Sequence, residues 1–143
     1  MYEIDKIDLK IVNLLLEDGR KSASEIARQI GQVSERAVRY RIKRMLEEDV
    51  IRISAVVRPE AFGLPIRADV FLEVESDRIR YVAQIMAGYE NVTYVACSIG
   101  ENDISIQVVA KDTDEVYRFV TETVRKVPGV RRTTTSIVPL ILK

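Results

Sequence analysis

Apolar residues in the first fifty positions recur every three or four places, which predicts helices rather than strands. The first predicted helix ends at Gly19; the second begins at the capping box Ser22-Ala23-Ser24-Glu25 and stops at Gly31. The third begins at Ser34. Three helices joined by short turns are typical of a helix-turn-helix unit, which we predict for residues 1–50. The apolar positions are Ile4, Ile7, Ile11, Leu14, Leu15, Ile26, Ala27, Ile30, Val38, Ile42, Met45 and Leu46.

From position 50 the helical spacing gives way to a run of β-branched residues. Val50–Val57 is rich in valine and isoleucine, which predicts a strand. Pro59, Gly63 and Pro65 follow closely, and both residue types interrupt regular structure. We therefore expect residues 51–65 to form a strand followed by a hinge.

Residues 66–143 alternate between strand spacing and helix spacing. The order β-α-β-β-α-β is that of a ferredoxin-like split unit. The predicted fold class is therefore α+β, a helix-turn-helix domain followed by a ferredoxin-like domain with an antiparallel sheet. Pro139 cannot donate to a strand ladder, which places the last strand at an edge or at a bulge. The predicted elements are strands 66–75, 92–99, 103–110 and 130–142 and helices 77–89 and 114–127.

The predicted sheet has helices on one face only, yet apolar residues fall on both faces. Within 92–99 the two alternating sets are both apolar, and Phe71 lies opposite the predicted core side of its strand. A second subunit is the simplest cover for such a face, so we expect a homodimer or larger assembly held through residues 66–143. On this interpretation, glutamate at Val95 or Val109 would place an unpaired charge in the interface.

Composition narrows the possible functions. The sequence contains no histidine, which removes histidine-based acid–base catalysis and the commonest zinc ligand set. Glu73 and Glu75 share one face of a predicted strand, but no base or metal ligand accompanies them, so they fit a solvated edge. We expect no enzyme activity, no cofactor and no metal site.

The sequence also bears on location. A single cysteine, Cys97, excludes an intramolecular disulfide, and its apolar neighbours predict a buried, unreactive thiol. No apolar run approaches the roughly 20 residues that span a bilayer. The segment Met1–Asp5 is acidic and lacks the basic-then-apolar order of a secretory signal. These features predict a cytoplasmic protein without membrane contact.

Charge is unevenly distributed although the formal net charge is zero. Between Arg20 and Arg44 the chain carries eight basic and two acidic side chains. A dense basic segment in a balanced protein indicates a local site for a polyanion such as DNA. Charge alone fits a solvated helix face better than a binding site. The helix-turn-helix spacing shifts the balance toward DNA.

The third predicted helix places a basic sector opposite its apolar face, at about 100° per residue. In a recognition helix the first residues meet base edges, and the helix N-terminus favours a phosphate. Arginine suits guanine edges and phosphates, whereas lysine suits phosphates. Ser22 begins the preceding helix, where N-capping explains it equally well. The candidate DNA-binding residues are Ser22, Ser34, Glu35, Arg36, Arg39, Tyr40, Lys43 and Arg44.

Several motifs, in their order and spacing, resemble the Lrp/AsnC regulators, also called feast/famine regulators. The resemblance covers essentially the whole chain. In two places the sequence departs from the family pattern: the turn Gly31–Ser34 is one residue longer, and Asp49 stands where the family usually has glycine. The motifs are Asp5-x-x-Asp8-x-x-Ile11-Val12-x-x-Leu15, Ser34…Val38…Arg41-Ile42…Leu46…Val50-Ile51, Gly63, Gly100-x-x-Asp103 and Pro128-Gly129-Val130…Thr135.

The resemblance implies a regulator that reads palindromic DNA, forms dimers and often octamers, and binds an amino-acid effector between dimers. The family's effector loop looks like Gly100-Glu101-Asn102-Asp103 here. Its amides and carboxylates suit an α-carboxylate and an α-ammonium, although the same residue types fit a plain hairpin turn. Thr133 and Thr135 share one face of the last strand and complete the candidate effector set, while β-propensity alone explains them as well.

Two other functions stay open from the sequence. Proteins of this two-domain architecture also resemble haem-pathway decarboxylases that act on modified tetrapyrroles, but those enzymes rely on histidine. The second alternative is an effector-binding or assembly protein whose DNA-binding helix has lapsed. The basic sector 36–44 argues against it, because folding does not require those charges.

Overall fold

The computed structural model describes residues 2–141, which fall into two compact units that divide between Val56 and Val57. The N-terminal unit contains three helices, as predicted: α1 (Lys6–Glu17), α2 (Ala23–Ile30) and α3 (Glu35–Glu47). Their packed core has four fully buried side chains, which come from all three helices. These are Ile11, Ile26, Val38 and Met45.

The ends of these helices follow the local sequence. Ser22 and Glu25 form the predicted capping box at the start of α2. Gly31 ends α2 in the left-handed conformation, with φ of 78°. Ser34 caps α3 by accepting from the Ala37 amide at 3.2 Å.

The prediction of a strand at residues 51–57 is wrong. Residues 51–58 have no regular secondary structure and form no ladder with any other segment in the part of the chain described. A strand requires a partner, and this unit otherwise contains only helices. Residues 51–54 instead lie beside α1, where they border a shallow groove with Leu15 and Gly19. The β-branched composition of this segment therefore did not lead to a strand.

The C-terminal unit contains the predicted alternation of strands and helices. A short 3₁₀ turn, Pro59–Phe62, precedes the first strand. The last helix is shorter than expected, because α5 passes into a π-helical turn at Phe119–Thr123 and a 3₁₀ turn at Val124–Lys126. The elements are β1 (Ile66–Val74), α4 (Ile79–Ala87), β2 (Val92–Cys97), β3 (Ile104–Ala110), α5 (Thr113–Arg118) and β4 (Val130–Ile137).

The four strands form one antiparallel sheet in the order β2-β3-β1-β4, which confirms the split βαββαβ arrangement. The helix-facing side of β1 and β3 forms the core, and its valine, leucine and isoleucine side chains are buried. β4 is an edge strand and ends two residues before Pro139, as expected for a residue that cannot donate. The strand was predicted to run to residue 142, but residues 138–141 are not part of it, and residue 142 lies outside the described residues.

The sheet face away from the helices is less apolar than expected. A bulge between Val92 and Tyr94 breaks the alternation of β2, so Val92 and Val95 both pack against the core. Val109 is also buried within the chain. Glutamate at Val95 or Val109 would thus disturb the fold of one subunit and would not report on an interface.

The outer face instead mixes aromatic and polar residues. Tyr94 is exposed there beside Phe71, in a shallow depression. The Gln107 side-chain amide donates to Asp69 Oδ1 at 3.0 Å on the same face. A second correction concerns Cys97, which is exposed at the end of the edge strand β2 and not buried.

Helix α3 ends in a Schellman motif that requires a left-handed residue. The Val50 amide donates to Met45 O at 2.8 Å, and the Asp49 amide donates to Leu46 O at 3.3 Å. Asp49 supplies the left-handed position with φ of 58°, where the motif usually has glycine. An L-residue in this region is disfavoured, although aspartate tolerates it better than most.

We expect Asp49→Gly to raise the free energy of unfolding by about 0.5–1 kcal/mol, because glycine relieves this conformation at some entropic cost. Chemical denaturation of both proteins measures the change. Asp49→Val is the matched control and should destabilise by about 1 kcal/mol, since a β-branched residue rarely adopts positive φ. If glycine destabilised as much as valine, the aspartate side chain and not the backbone would determine the cap.

Candidate nucleic-acid interface and effector site

Helix α3 presents most of the predicted DNA-binding residues on one exposed side, which we call the recognition face. Val38 and Met45 are fully buried on the opposite side and fix the rotation of the helix against α1 and α2. Ser22 is also exposed but begins α2, and its hydroxyl is engaged with Glu25 in the capping box. The recognition face comprises Ser34, Glu35, Arg36, Arg39, Tyr40 and Lys43.

The cations of the recognition face differ in how they are paired. Arg39 forms an ion pair with Glu35, and Lys43 lies 3.6 Å from Glu47. Within residues 2–141, Arg36 forms no ion pair. Exposed pairs of this kind contribute less than about 1 kcal/mol, so an approaching phosphate can displace them.

Arg44 is the one predicted DNA-binding side chain of α3 that is half-buried. Its guanidinium donates to Tyr40 Oη at 3.4 Å and to Glu48 at 3.0 Å. It also lies 5.9 Å from the ring centre of Tyr2. These contacts hold Arg44 toward the chain segment that precedes α1, so any contact with DNA would compete with them.

A buried charge cluster anchors α3 to the start of α1. Asp8 is 1% exposed and accepts hydrogen bonds from Tyr2 Oη at 2.9 Å, the Asp5 amide at 3.0 Å and Arg41 at 2.9 Å. Arg41 also donates to Asp5 at 2.7 Å. We call Tyr2, Asp5, Asp8 and Arg41 the anchor cluster. Each buried polar atom of its side chains has a partner.

The pKa shifts in the anchor cluster favour a charged Asp5, a charged Arg41 and a neutral Tyr2. The pKa of Asp5 is lowered because its carboxylate accepts from the Asp8 amide and from Arg41. The pKa of Arg41 is raised because it donates to Asp8 and Asp5. The pKa of Tyr2 is raised, chiefly by burial and then by its hydrogen bond to Asp8.

Sequence reasoning missed the anchor cluster, although a signal was present. Asp8, Ile11 and Leu15 share one face of α1 at spacings of three and four residues. A carboxylate in that apolar stripe requires a buried cationic partner. The basic sector contained several arginines, and their positions alone did not indicate that Arg41 was the partner.

The predicted effector loop is tied to the end of β1. Asp103 Oδ2 accepts from the Val74 amide at 2.7 Å, and the Asp103 amide donates to Leu72 O at 2.9 Å. Ser98 Oγ donates to Asn102 O at 3.0 Å. Gly100 has φ of 151°, a conformation that side chains rarely permit. One oxygen of the Asp103 carboxylate thus already has a structural partner.

The six predicted effector residues fall into two groups. Thr133 and Thr135 line a cleft of about 350 Å³ between β4 and the helical segment from α5 to Lys126. We call it the β4 cleft. None of the residues Gly100–Asp103 lines this cleft. The described residues contain no cluster of three or more potential metal ligands, and none of their helices is long and apolar enough to cross a membrane.

Comparison with known proteins identifies both units. Residues 4–46 match the sequence model of the AsnC-type helix-turn-helix domain, and residues 68–143 match that of the Lrp/AsnC ligand binding domain. The chain belongs to the Lrp/AsnC family. It is therefore a DNA-binding transcriptional regulator with a ligand-binding domain.

Relatives of this Lrp/AsnC chain are named as regulators. It is 38% identical to an HTH-type transcriptional regulator of Pyrococcus horikoshii over 142 residues, 99% of this chain and 89% of the relative. It is 32% identical to the HTH-type transcriptional regulator FL11 of Pyrococcus abyssi over 136 residues, 94% of this chain and 89% of the relative. These names leave the decarboxylase alternative without support and confirm the expectation of a non-enzyme.

Solved structures share the Lrp/AsnC fold. Escherichia coli AsnC superposes with a TM-score of 0.84 at 22% identity, covering 99% of this chain and 98% of that one. A transcriptional regulator of Neisseria meningitidis, solved as a complex with L-methionine, gives 0.88 at 24% identity, covering 99% and 93%. At these identities the likeness concerns the fold.

We expect Arg41→Ala to destabilise this Lrp/AsnC regulator by about 3 kcal/mol, because it leaves the buried Asp8 carboxylate without its cation. Differential scanning calorimetry measures the loss. Arg36→Ala, on the same helix but exposed, should change stability by less than about 0.5 kcal/mol. Equal effects of the two variants would contradict a structural role for the anchor cluster.

Proposed function

We propose that the protein binds a palindromic DNA site as a homodimer through the recognition face of α3, and that a small amino-acid-like effector bound between subunits modulates this binding. The observation that carries the proposal is an exposed basic face on a helix whose other face is fully buried. Folding uses Val38, Met45 and Arg41, and it leaves the exposed cations free for another task. A DNA-binding role places the protein with the DNA, in the cytoplasm.

Recognition divides between base edges and phosphates. Arg36 and Arg39 lie in the first turns of α3, where a recognition helix meets the bases, and their planar guanidinium groups suit guanine. Glu35 and Tyr40 lie beside them, and Lys43 lies one turn further on and suits a phosphate. Ser22 and Ser34 begin α2 and α3, where exposed amides favour phosphates. Arg44 contributes a further phosphate contact from the far end of α3.

Two features support assembly into a dimer or a larger homo-oligomer such as an octamer. Residues 52–56 are exposed, with no strand partner among the described residues, and Val56 is 96% exposed. Their backbone groups suit pairing with the same segment of a second copy. On the outer face of the sheet, Phe71 and the exposed Tyr94 offer aromatic surface that a second sheet would cover.

The support for effector binding concerns the type of domain and not individual residues. The match of residues 68–143 is to a ligand-binding domain, and the neisserial structure of the same fold was solved with L-methionine. The loop Gly100–Asp103 and the β4 cleft both offer polar groups to a small molecule. Through Gly100, Glu101, Asn102 and Asp103 the loop supplies amides and carboxylates for an amino acid.

The central test is DNA affinity at several salt concentrations. Arg36→Ala and Arg39→Ala should each weaken binding to the specific site by about 1–3 kcal/mol, because each removes a bidentate base contact. Lys43→Ala should weaken all sequences similarly and reduce the salt slope by about one. Arg80→Ala, an exposed arginine of α4, is the control and should have no effect. If the three α3 variants bind DNA like the wild type, the recognition face is wrongly assigned.

Dimer formation is tested by light scattering on wild type and Tyr94→Glu. We expect the wild type to be at least dimeric at micromolar concentration. Tyr94→Glu should shift it toward monomer, because the interface would bury an unpaired charge. Arg80→Glu is the matched exposed control. A monomeric wild type would contradict both the dimer and the palindromic DNA site. For a dimer, we expect the two half-sites to lie about 10 bp, or a multiple of that, apart.

A further inference from the structure

The β4 cleft contains an arginine and hydroxyl groups whose hydrogen-bonding capacity is only partly satisfied within the fold. Arg125 Nε donates to Thr133 Oγ1 at 2.9 Å, which fixes the plane of the guanidinium group. Within residues 2–141, Arg125 forms no ion pair with a carboxylate. Its terminal N–H groups therefore remain available, and so does the hydroxyl proton of the nearly buried Thr133.

The rest of the cleft combines an aliphatic wall with further hydroxyl-bearing side chains, among them Thr113 and Thr121. Val116 and Val120 are buried at its wall, and the ring of Tyr117 borders it. Its volume of about 350 Å³ lies within the range of small-molecule sites. None of the residues that line it is an aspartate or glutamate. A guest in this cleft would meet a cation, hydroxyls and an aliphatic wall, but no carboxylate for an ammonium group.

We infer that the β4 cleft is a binding site for a small aliphatic carboxylate, held by Arg125 and Thr133, that lies within one subunit and is distinct from the Gly100–Asp103 loop. The fork of an arginine matches a carboxylate through two parallel hydrogen bonds. Thr135 offers a further hydroxyl on the same strand face. Because an ammonium group finds no acid here, a 2-oxo acid fits the cleft better than the amino acid of the same skeleton.

The regulatory role of this site rests on the proposed function. The site adds to that function a class of ligand, a small carboxylate, for which the Gly100–Asp103 loop has no arginine. It also separates the predicted effector residues. Thr133 and Thr135 belong to the carboxylate site, whereas Asp103 holds the loop to β1 through the Val74 amide. Binding at one group can therefore be removed without altering the other.

Isothermal titration calorimetry tests the inference with three probes that share an isobutyl group: 4-methyl-2-oxopentanoate, L-leucine and 3-methylbutylamine, which lacks the carboxylate. The oxo acid should bind the full-length protein at millimolar or lower concentration, leucine should bind more weakly, and the amine should not bind. Arg125→Gln should weaken oxo-acid binding about tenfold or more, because it removes charge-assisted hydrogen bonds. Thr133→Val should weaken it several-fold with little change in shape.

Two variants serve as controls. Lys126→Gln removes the neighbouring charge, which does not line the cleft, and should bind the oxo acid like the wild type. Asp103→Asn alters the loop and should also retain oxo-acid binding. The inference is overturned if Arg125→Gln binds like the wild type, if the amine binds as well as the acid, or if leucine binds more tightly and loses binding in Asp103→Asn.

Binding to duplex DNA at low salt, measured on the same preparations, separates this inference from the proposed function. Arg125→Gln should retain DNA binding in the absence of ligand. A wild type that binds DNA but none of the carboxylates would overturn the carboxylate site alone. A wild type that binds no DNA would overturn the proposed function, whatever the calorimetry shows.

Discussion

The Asp8–Arg41 pair is the interaction on which the geometry of the N-terminal unit most depends. Asp8 on α1 is 1% exposed, and its carboxylate accepts hydrogen bonds from Arg41 on α3 and from Tyr2 and Asp5 in the chain before α1. A charge in such a place is tolerated only where its partners are held, so α1 and α3 can meet in one arrangement. The rotation of α3, and with it the direction in which its exposed cations point, follows from that arrangement.

The C-terminal unit is organised differently, by the apolar face of its sheet. The central strands β1 and β3 supply most of the buried strand residues, whereas the loop at Gly100 follows the edge strand β2 and the β4 cleft lies beside the edge strand β4. This placement explains why the loop at Gly100 and the β4 cleft lie toward opposite edges of the same sheet. Each takes its rigidity from a central strand, through hydrogen bonds to β1 for the loop and strand pairing with β1 for Thr133.

The order of the elements was predictable because hydrophobic spacing in this chain is regular. The capping box at Ser22, the stop at Gly31 and the βαββαβ order were read directly from residue types. The predictions failed where spacing and long-range contacts disagree. Residues 51–57 have strand composition but no partner, and a bulge at Val92 reverses part of an alternating pattern.

The functional residues were predictable only in part, for the same reason. The exposed cations of α3 were evident from one helix, whereas the role of Arg41 depends on Asp8, which is 33 residues away in sequence. Likewise, Thr133 was a candidate from strand spacing, but Arg125 gains meaning only when the chain folds it back against β4. The local sequence pattern does not predict the Asp8–Arg41 and Arg125–Thr133 contacts.

The separation of tasks around α3 has a consequence for how such a protein can change its target. Val38, Met45 and Arg41 hold the helix, whereas Arg36 and Arg39 take no part in the core. The outward side chains can therefore be exchanged in combination at small cost to folding. With α3 as the helix that reads DNA, as proposed above, one scaffold can acquire a new operator by a few substitutions on its exposed face and none in its core.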